Sequence, residues 1–167
     1  MILTTRLADA LLNQFDGFQR SGASSARLLP FAVEASIMTA KWHKLNEYLQ
    51  LCSKENVSDF TIGIGSALNA LRLNKKAEFD EIIHNLRHTT AKAMTFNSTT
   101  SLQSCHDSLL HLHALAEVEA IVNARPETRA NTAGSLDALS RRLDILGVYI
   151  NEKQYLLGLR RAAMELS

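Results

Sequence analysis

The stretch LLHLHALAEVEA, which runs from Leu109 to Ala120, has apolar residues spaced as in an α-helix. Successive residues of an α-helix follow one another at about 100° around the axis. On such a helix Leu109 and Leu112 lie on one broad arc, whereas Leu115 and Val118 lie outside it. Apolar residues on more than one side predict a helix that is buried between two neighbours, as inside a stack of helical hairpins.

The histidines and glutamates of the same stretch have the residue types of a metal or acid/base site. Their positions on a helix argue against such a site. His111 and His113 point about 200° apart, so they cannot share one ion on a straight helix. His113 and Glu117 are i, i+4 neighbours, and we expect them to form a modest pair on the helix surface.

Composition excludes several classes of function. The 18 Lys and Arg residues nearly balance the 17 Asp and Glu residues, so we expect no direct contact with nucleic acid. The N-terminal sequence MILTTRLADALLNQF is interrupted by Arg6, Asp9 and Asn13, which fits neither a signal peptide nor a membrane span. Cys52 and Cys105 lie far apart and form no Cys-x-x-Cys motif, which favours buried thiols in a reducing compartment.

The rest of the chain repeats the 3.6-residue period and predicts an all-α fold of about seven or eight helices. Residues 1–167 read as a single helical-repeat segment with short linkers near 17–26, 95–100 and 125–134. Gly63 and Gly65 occur on a helical stripe, which predicts that another helix approaches closely there.

A second polar pattern has the spacing of a metal site. Asp80, His84 and His88 stand at successive i, i+4 positions, and two histidines at that spacing can chelate a metal. The zinc-protease pattern needs a Glu beside the first His, whereas Asn85 stands there. We therefore interpret these residues as a solvated face with a weak Asp80–His84 pair; a small helical metalloenzyme is the alternative.

No catalytic or cofactor-binding motif accompanies these helices. The sequence has no Gly-x-Ser-x-Gly elbow and no Gly-rich phosphate loop, so we expect no catalytic residue, no bound cofactor and no metal. Trp42-x-x-Leu45 is similar to the start of a tetratricopeptide helix, although Asn46 replaces the usual glycine. These features favour degenerate helical repeats.

Three blocks of sequence, in order and spread over most of the chain, carry a family resemblance. They are AVEA at 32–35 with TAKW at 39–42 and LNEYL at 45–49, then LHLHALAEVE at 110–119, and last RL at 142–143 with LLGLRRA at 156–162. Together they resemble the FAT domain of the phosphatidylinositol-3-kinase-related protein kinases, most closely the ATR-type checkpoint kinases. The composition resembles a filamentous-fungal version.

The resemblance implies an α-solenoid of degenerate tetratricopeptide-like or HEAT-like hairpins that supports and regulates a kinase domain. Its partners would be the kinase domain and adjacent repeats of the parent chain, with accessory-subunit or homodimer contacts, in the nucleus. ATP and Mg²⁺ would bind only the parent's kinase domain, because this chain lacks the kinase motifs. The residues that match the family signature are Glu34, Trp42, Leu45, Leu112, Glu117, Glu119, Arg142, Arg160 and Arg161.

Two expectations accompany this interpretation. The alternative function is a free-standing tetratricopeptide-like adaptor that binds a partner helix or peptide in a concave groove. If the chain is instead part of a solenoid, its end helices should expose apolar faces and cause self-association. Arg160 and Arg161 read as solvated arginines at a helix end, with pairing to a neighbouring element as the alternative.

Overall fold

The computed structural model of the chain describes residues 2–20, 27–52, 59–97, 101–124, 139–147 and 149–167. Within these ranges the regular structure is helical and no strand occurs, so the all-α prediction and its number of helices are confirmed. Residues 139–144 are also helical. The helices with defined bounds are α1 (Ile2–Arg20), α2 (Leu29–Met38), α3 (Trp42–Gln50), α4 (Phe60–Arg72), α5 (Lys76–Asn97), α6 (Leu102–Val122) and α7 (Ile150–Leu166).

The chain divides within α5 into two compact units. The first runs as far as Leu86, and the second extends from Arg87 to Glu165. The expectation of a single helical-repeat segment stays a prediction.

In the first unit α2 packs against α1, α3 and α4, and α3 packs against α4. Phe31, Ala35 and Met38 predict one buried side of α2. Because neighbours cover α2 on several sides, this prediction is wrong at Phe31, which is 58% exposed, whereas Val33 and Ile37 are buried.

The sequence predicts the buried face of α1 from the i, i+4 spacing of Leu3, Leu7, Leu11 and Phe15. This prediction is wrong at Leu7 and Leu11, which are 66% and 40% exposed. The side chains of α1 that are buried are Ala8, Leu12 and Phe15.

The two glycines of α4 lie where its neighbours come closest, as predicted. A Cβ atom on Gly65 would lie 2.7 Å from Cγ1 of Val33 and 3.3 Å from Cδ1 of Leu45. A Cβ atom on Gly63 would lie 2.4 Å from Cδ2 of Leu86. The absence of a side chain at Gly65 therefore allows α2 and α3 to pack closely against α4. Its absence at Gly63 leaves room for the Leu86 side chain of α5.

Residues in the left-handed backbone conformation end two helices of the first unit. Ala40 (φ 55°) and Asn74 (φ 56°) follow α2 and α4. After each, the next amide donates back into the helix, from Lys41 N to Ser36 O at 2.9 Å and from Lys75 N to Ala70 O at 2.9 Å. These are Schellman motifs. They end α2 and α4 where the sequence predicts a bend or break near Lys41 and a tight turn at residues 74–76.

Several predicted boundaries move by a few residues. The linker expected near 17–26 begins later, because α1 continues to Arg20. One interior glycine costs a helix only about 1 kcal/mol, and Asp16 beside Gly17 is held by hydrogen bonds from Lys44 and Tyr48. The linker expected near 95–100 also begins later, since α5 continues to Asn97. The linker at 125–134 lies outside the described residues.

In the second unit the N-cap of α6 lies one residue later than the capping-box spacing of Thr100 and Gln103 predicts. Ser101 is the N-cap, and its hydroxyl accepts a hydrogen bond from Ser104 N at 3.3 Å. Thr100 lies outside the described residues, as does Ser135, which the sequence predicts as the N-cap of a later helix. The core of this unit is formed by Ala114, Leu115, Val118, Ile121, Leu139, Leu156, Leu159, Ala162 and Ala163.

Candidate functional site: a buried ion pair

Glu117 is the most deeply buried charged residue among those the structure describes. It lies on α6 with only 1% of its surface exposed, between the buried side chains of Ala114 and Val118. A carboxylate at such a position needs a partner, because transfer of an unpaired charge out of water is very unfavourable. The surface pair predicted for His113 and Glu117 is therefore wrong.

The partner of Glu117 is Arg160 on α7, 43 residues away in sequence. Nη2 of Arg160 donates to Oε1 of Glu117 and also to the carbonyl oxygen of Leu139, at 2.9 Å. The Arg160 side chain is 11% exposed. One guanidinium thus links α6, α7 and the helical residues 139–144, and Arg160 is not a solvated helix-end residue.

The pair leaves polar atoms without partners. Oε2 of Glu117, Nε of Arg160 and Nε2 of His113 are buried and make no hydrogen bond. Such a pair contributes little net stability, but removal of one partner strands a charge in the core. The packing of α6 against α7 therefore depends on the presence of both residues.

Glu119 makes the second contact of the opening stretch, on another side of α6. Its Oε2 accepts a hydrogen bond from Nη2 of Arg87 on α5 at 2.6 Å. The two side chains are 36% and 42% exposed. Because Glu117 and Glu119 point about 200° apart, α6 contacts α7 through one and α5 through the other. The predicted burial of the arc with Leu109 is wrong, because Leu109 is 50% exposed and the buried apolar residues include Leu115 and Val118 instead.

The other signature residues of the second unit do not join this pair. Leu112 and Arg142 are half-buried, and Arg161 is exposed. A further contact joins the beginning of α7 to α6, where Nε2 of His106 lies 4.0 Å from Oε1 of Glu152.

The signature residues of the first unit have separate roles. Leu45 is fully buried and faces Gly65, and Trp42 is the half-buried first residue of α3. Glu34 on α2 is half-buried, and its pKa is raised, first by burial and then by the nearby charge of Asp59.

Sequence reasoning missed a polar cluster in the first unit. Asp16 on α1 accepts hydrogen bonds from Nζ of Lys44 and from the hydroxyl of Tyr48, both at 2.8 Å. Burial and the bond to Asp16 raise the pKa of Tyr48 well above its usual range, and the same carboxylate raises the pKa of Lys44. The i, i+4 spacing of Lys44 and Tyr48 was the available signal, but nothing in it points to Asp16.

The predicted histidine face does not form its expected pair. Oδ1 of Asp80 lies 3.0 Å from Nζ of Lys76, and His84 and His88 are exposed. Within the described ranges, no three His, Cys, Asp or Glu side chains are grouped so that they could hold a metal ion. Cys52 and Cys105 are free thiols and half-buried, not fully buried as predicted. None of the described helices has the length and apolar content needed to span a bilayer.

Most of the chain is similar to one known protein family. Residues 29–167 match the family model of the FAT domain, a range that includes all of the signature residues. No curated protein and no solved structure matches the chain. FAT domains are helical, solenoid-like and non-catalytic, in agreement with the helices described above. Because the match covers most of the sequence, this chain belongs to the FAT domain family.

Proposed function

We propose that this chain is a non-catalytic scaffold segment of a serine/threonine protein kinase of the ATR type, from a filamentous fungus, which acts in the DNA-damage checkpoint. In this role the helices support and regulate the kinase domain of the parent protein. The parent's kinase domain would bind ATP and Mg²⁺, and the protein would act in the nucleus.

The observation that carries the proposal is the buried ion pair between Glu117 and Arg160. They come from two separate blocks that match the family signature, and they meet in the core of the second unit. The guanidinium of Arg160 also donates to the carbonyl oxygen of Leu139, so the pair joins three helical segments. That arrangement supports a scaffold role.

The proposed partners are the kinase domain and the adjacent repeats of the parent chain, with an accessory subunit or a second parent chain as further contacts. Apolar side chains exposed on α7 support this, because Ile150, Leu157 and Met164 are 67%, 46% and 44% exposed. Exposed apolar surface of this kind is typical of helices that pack against further protein.

The proposal is tested on the endogenous protein with an antibody raised to residues 125–135. The immunoprecipitate is assayed for phosphate transfer from ATP to protein serine or threonine, before and after DNA damage. We expect kinase activity that rises with damage. Activity without that rise would contradict the ATR-type assignment, and no activity would contradict a kinase parent.

A matched pair of substitutions tests the scaffold role itself. In the parent protein, Arg160→Leu should reduce kinase activity, because it strands the Glu117 carboxylate in the core. Arg161→Leu removes the same charge from the next residue, which is exposed, and should preserve activity. Equal activity in both variants would show that the buried pair does not matter to the kinase.

A further inference from the structure

A groove between α3 and α4 is lined by polar side chains that have no part in the proposed scaffold role. It has a volume of about 240 Å³ and lies entirely within the first unit. The side chains that matter here are Asn46, Leu49 and Gln50 from α3, Ser66 and Asn69 from α4, and Leu73, the residue that follows α4. The groove thus combines three carboxamides and a hydroxyl with two leucines.

Two of the three carboxamides, those of Asn46 and Asn69, are oriented by hydrogen bonds. Nε of Arg72 donates to Oδ1 of Asn69 at 3.3 Å, and an arginine can only donate. Nδ2 of Asn69 therefore faces Asn46 and donates to its Oδ1 at 3.2 Å. This arrangement leaves the Nδ2 group of Asn46 and the whole amide of Gln50 without a hydrogen-bond partner among the described residues.

The groove offers both donors and acceptors along its length. Oγ of Ser66 donates to Ile62 O at 2.9 Å, so its lone pairs still accept. Ser66 on α4 and Leu73, the residue that caps its C-terminal end, are seven residues apart, which is about 10 Å along the helix axis. That length equals about three residues of extended chain.

The charge of the lining selects against anions. Glu78 is the charged residue of the lining, and its carboxylate lies 2.9 Å from Nζ of Lys75. A phosphate or a nucleic-acid backbone would find no cation in this lining to receive it. The best match is a neutral ligand that alternates N–H and C=O groups.

We propose that this groove binds an extended peptide segment of about three residues, chiefly through the backbone amides of the peptide. The amides of Asn46 and Gln50 donate to peptide carbonyls, and the oxygen atoms of Gln50 and Ser66 accept from peptide N–H groups. Leu73, which is 47% exposed, contacts an apolar side chain of the peptide. The inference does not depend on the kinase assignment.

The test is a titration of the whole chain with a capped peptide, acetyl-Ala-Ala-Ala-N-methylamide, followed by NMR of the side-chain amide groups. We expect saturable shifts at Asn46, Gln50 and Asn69, with a Kd on the order of millimolar, as suits a small ligand in an open groove. Capped trisarcosine, which has the same backbone length without N–H donors, should bind at least about tenfold more weakly.

Substitutions distinguish this groove from general surface binding. Gln50→Ala changes an exposed residue and should weaken peptide binding severalfold without unfolding the chain, whereas Asn69→Leu should abolish binding. Asn13→Leu, on an exposed position of α1, is the control and should bind as the original chain does. Absence of saturation, equal affinity for trisarcosine, or unchanged affinity in Gln50→Ala would each overturn the proposal.

Discussion

The two glutamates of the opening stretch show how burial decides what an ion pair contributes. Glu117 and Arg160 are removed from water, whereas Glu119 and Arg87 remain partly exposed. The same charges therefore have different consequences when one partner is lost. A buried survivor is stranded, while an exposed one returns to solvent.

Removal of one member of the buried pair should strongly destabilise the second unit. Arg160→Leu or Glu117→Leu alone should reduce the free energy of unfolding by about 3 to 5 kcal/mol, and the double substitution should recover most of it. Glu119→Gln is the control and should cost less than about 1 kcal/mol. Urea unfolding followed by circular dichroism measures these changes, and a double variant no better than the singles would contradict this interpretation.

Glu34 should make stability depend on pH. Its pKa is raised above 4.5 in the folded chain, chiefly by burial, so the folded state disfavours its ionised form. The stabilising contribution of the protonated group is complete below 4.5 and is lost as pH rises through the folded-state pKa. Glu34→Gln should therefore raise the urea midpoint at about pH 7 and have little effect at about pH 4.

The matched control for this substitution is Glu81→Gln, at an exposed position of α5. This control should leave the difference in urea midpoint between about pH 4 and about pH 7 as it is in the original chain. If Glu34→Gln and Glu81→Gln gave the same pH profile, burial of Glu34 would not be the cause.

Close packing around α4 restricts which side chains its two glycine positions can accommodate. Val33 opposite Gly65 is fully buried and has a stiff, branched side chain. Leu86 opposite Gly63 is half-buried, and only the end of its flexible side chain is in the way. The two glycines are two residues apart, yet their neighbours differ in their capacity to move.

Alanine at these positions should have opposite effects. Gly65→Ala should destabilise the first unit by about 1 to 2 kcal/mol, because strain against Val33 exceeds the gain in helix propensity. Gly63→Ala should be neutral or stabilise by up to about 1 kcal/mol, since Leu86 can change rotamer. Thermal unfolding compares the two variants, and equal melting temperatures would contradict the packing argument.

Local pattern predicts most helices of this chain but not their partners. The break after α2 and the glycines of α4 follow from neighbouring residues, so the sequence is sufficient for them. The contact between Glu117 and Arg160 joins residues 43 apart, and helical periodicity carries no information on such pairing. Leu7 was misplaced for a related reason, since α1 has apolar residues on two sides and only tertiary packing selects the buried one.

At the scale of the whole molecule, α7 has two apolar faces. Leu156, Leu159 and Ala163 are buried on one side. Ile150, Leu157 and Met164, which we term the outer stripe, repeat every seven residues, so that successive members lie about 20° apart and the whole stripe spans about 40° on another side of the helix. A helix of this kind is buried on both faces only when more protein covers the outer stripe.

The isolated chain should self-associate through the outer stripe. Light scattering should show a mass that rises with concentration, because association removes Leu157 and its neighbours from water. Leu157→Glu should reduce the association, whereas Asn151→Glu adds the same charge at an exposed position off the stripe and should not. A monodisperse monomer at high concentration would contradict the prediction.

A scaffold role within a kinase requires the endogenous protein to be much larger than this chain. Its intact mass, measured after capture with the antibody to residues 125–135, tests that role. We expect a product many times larger than the 18.5 kDa of this chain. A product close to 18.5 kDa would contradict it and would identify a free-standing helical adaptor instead.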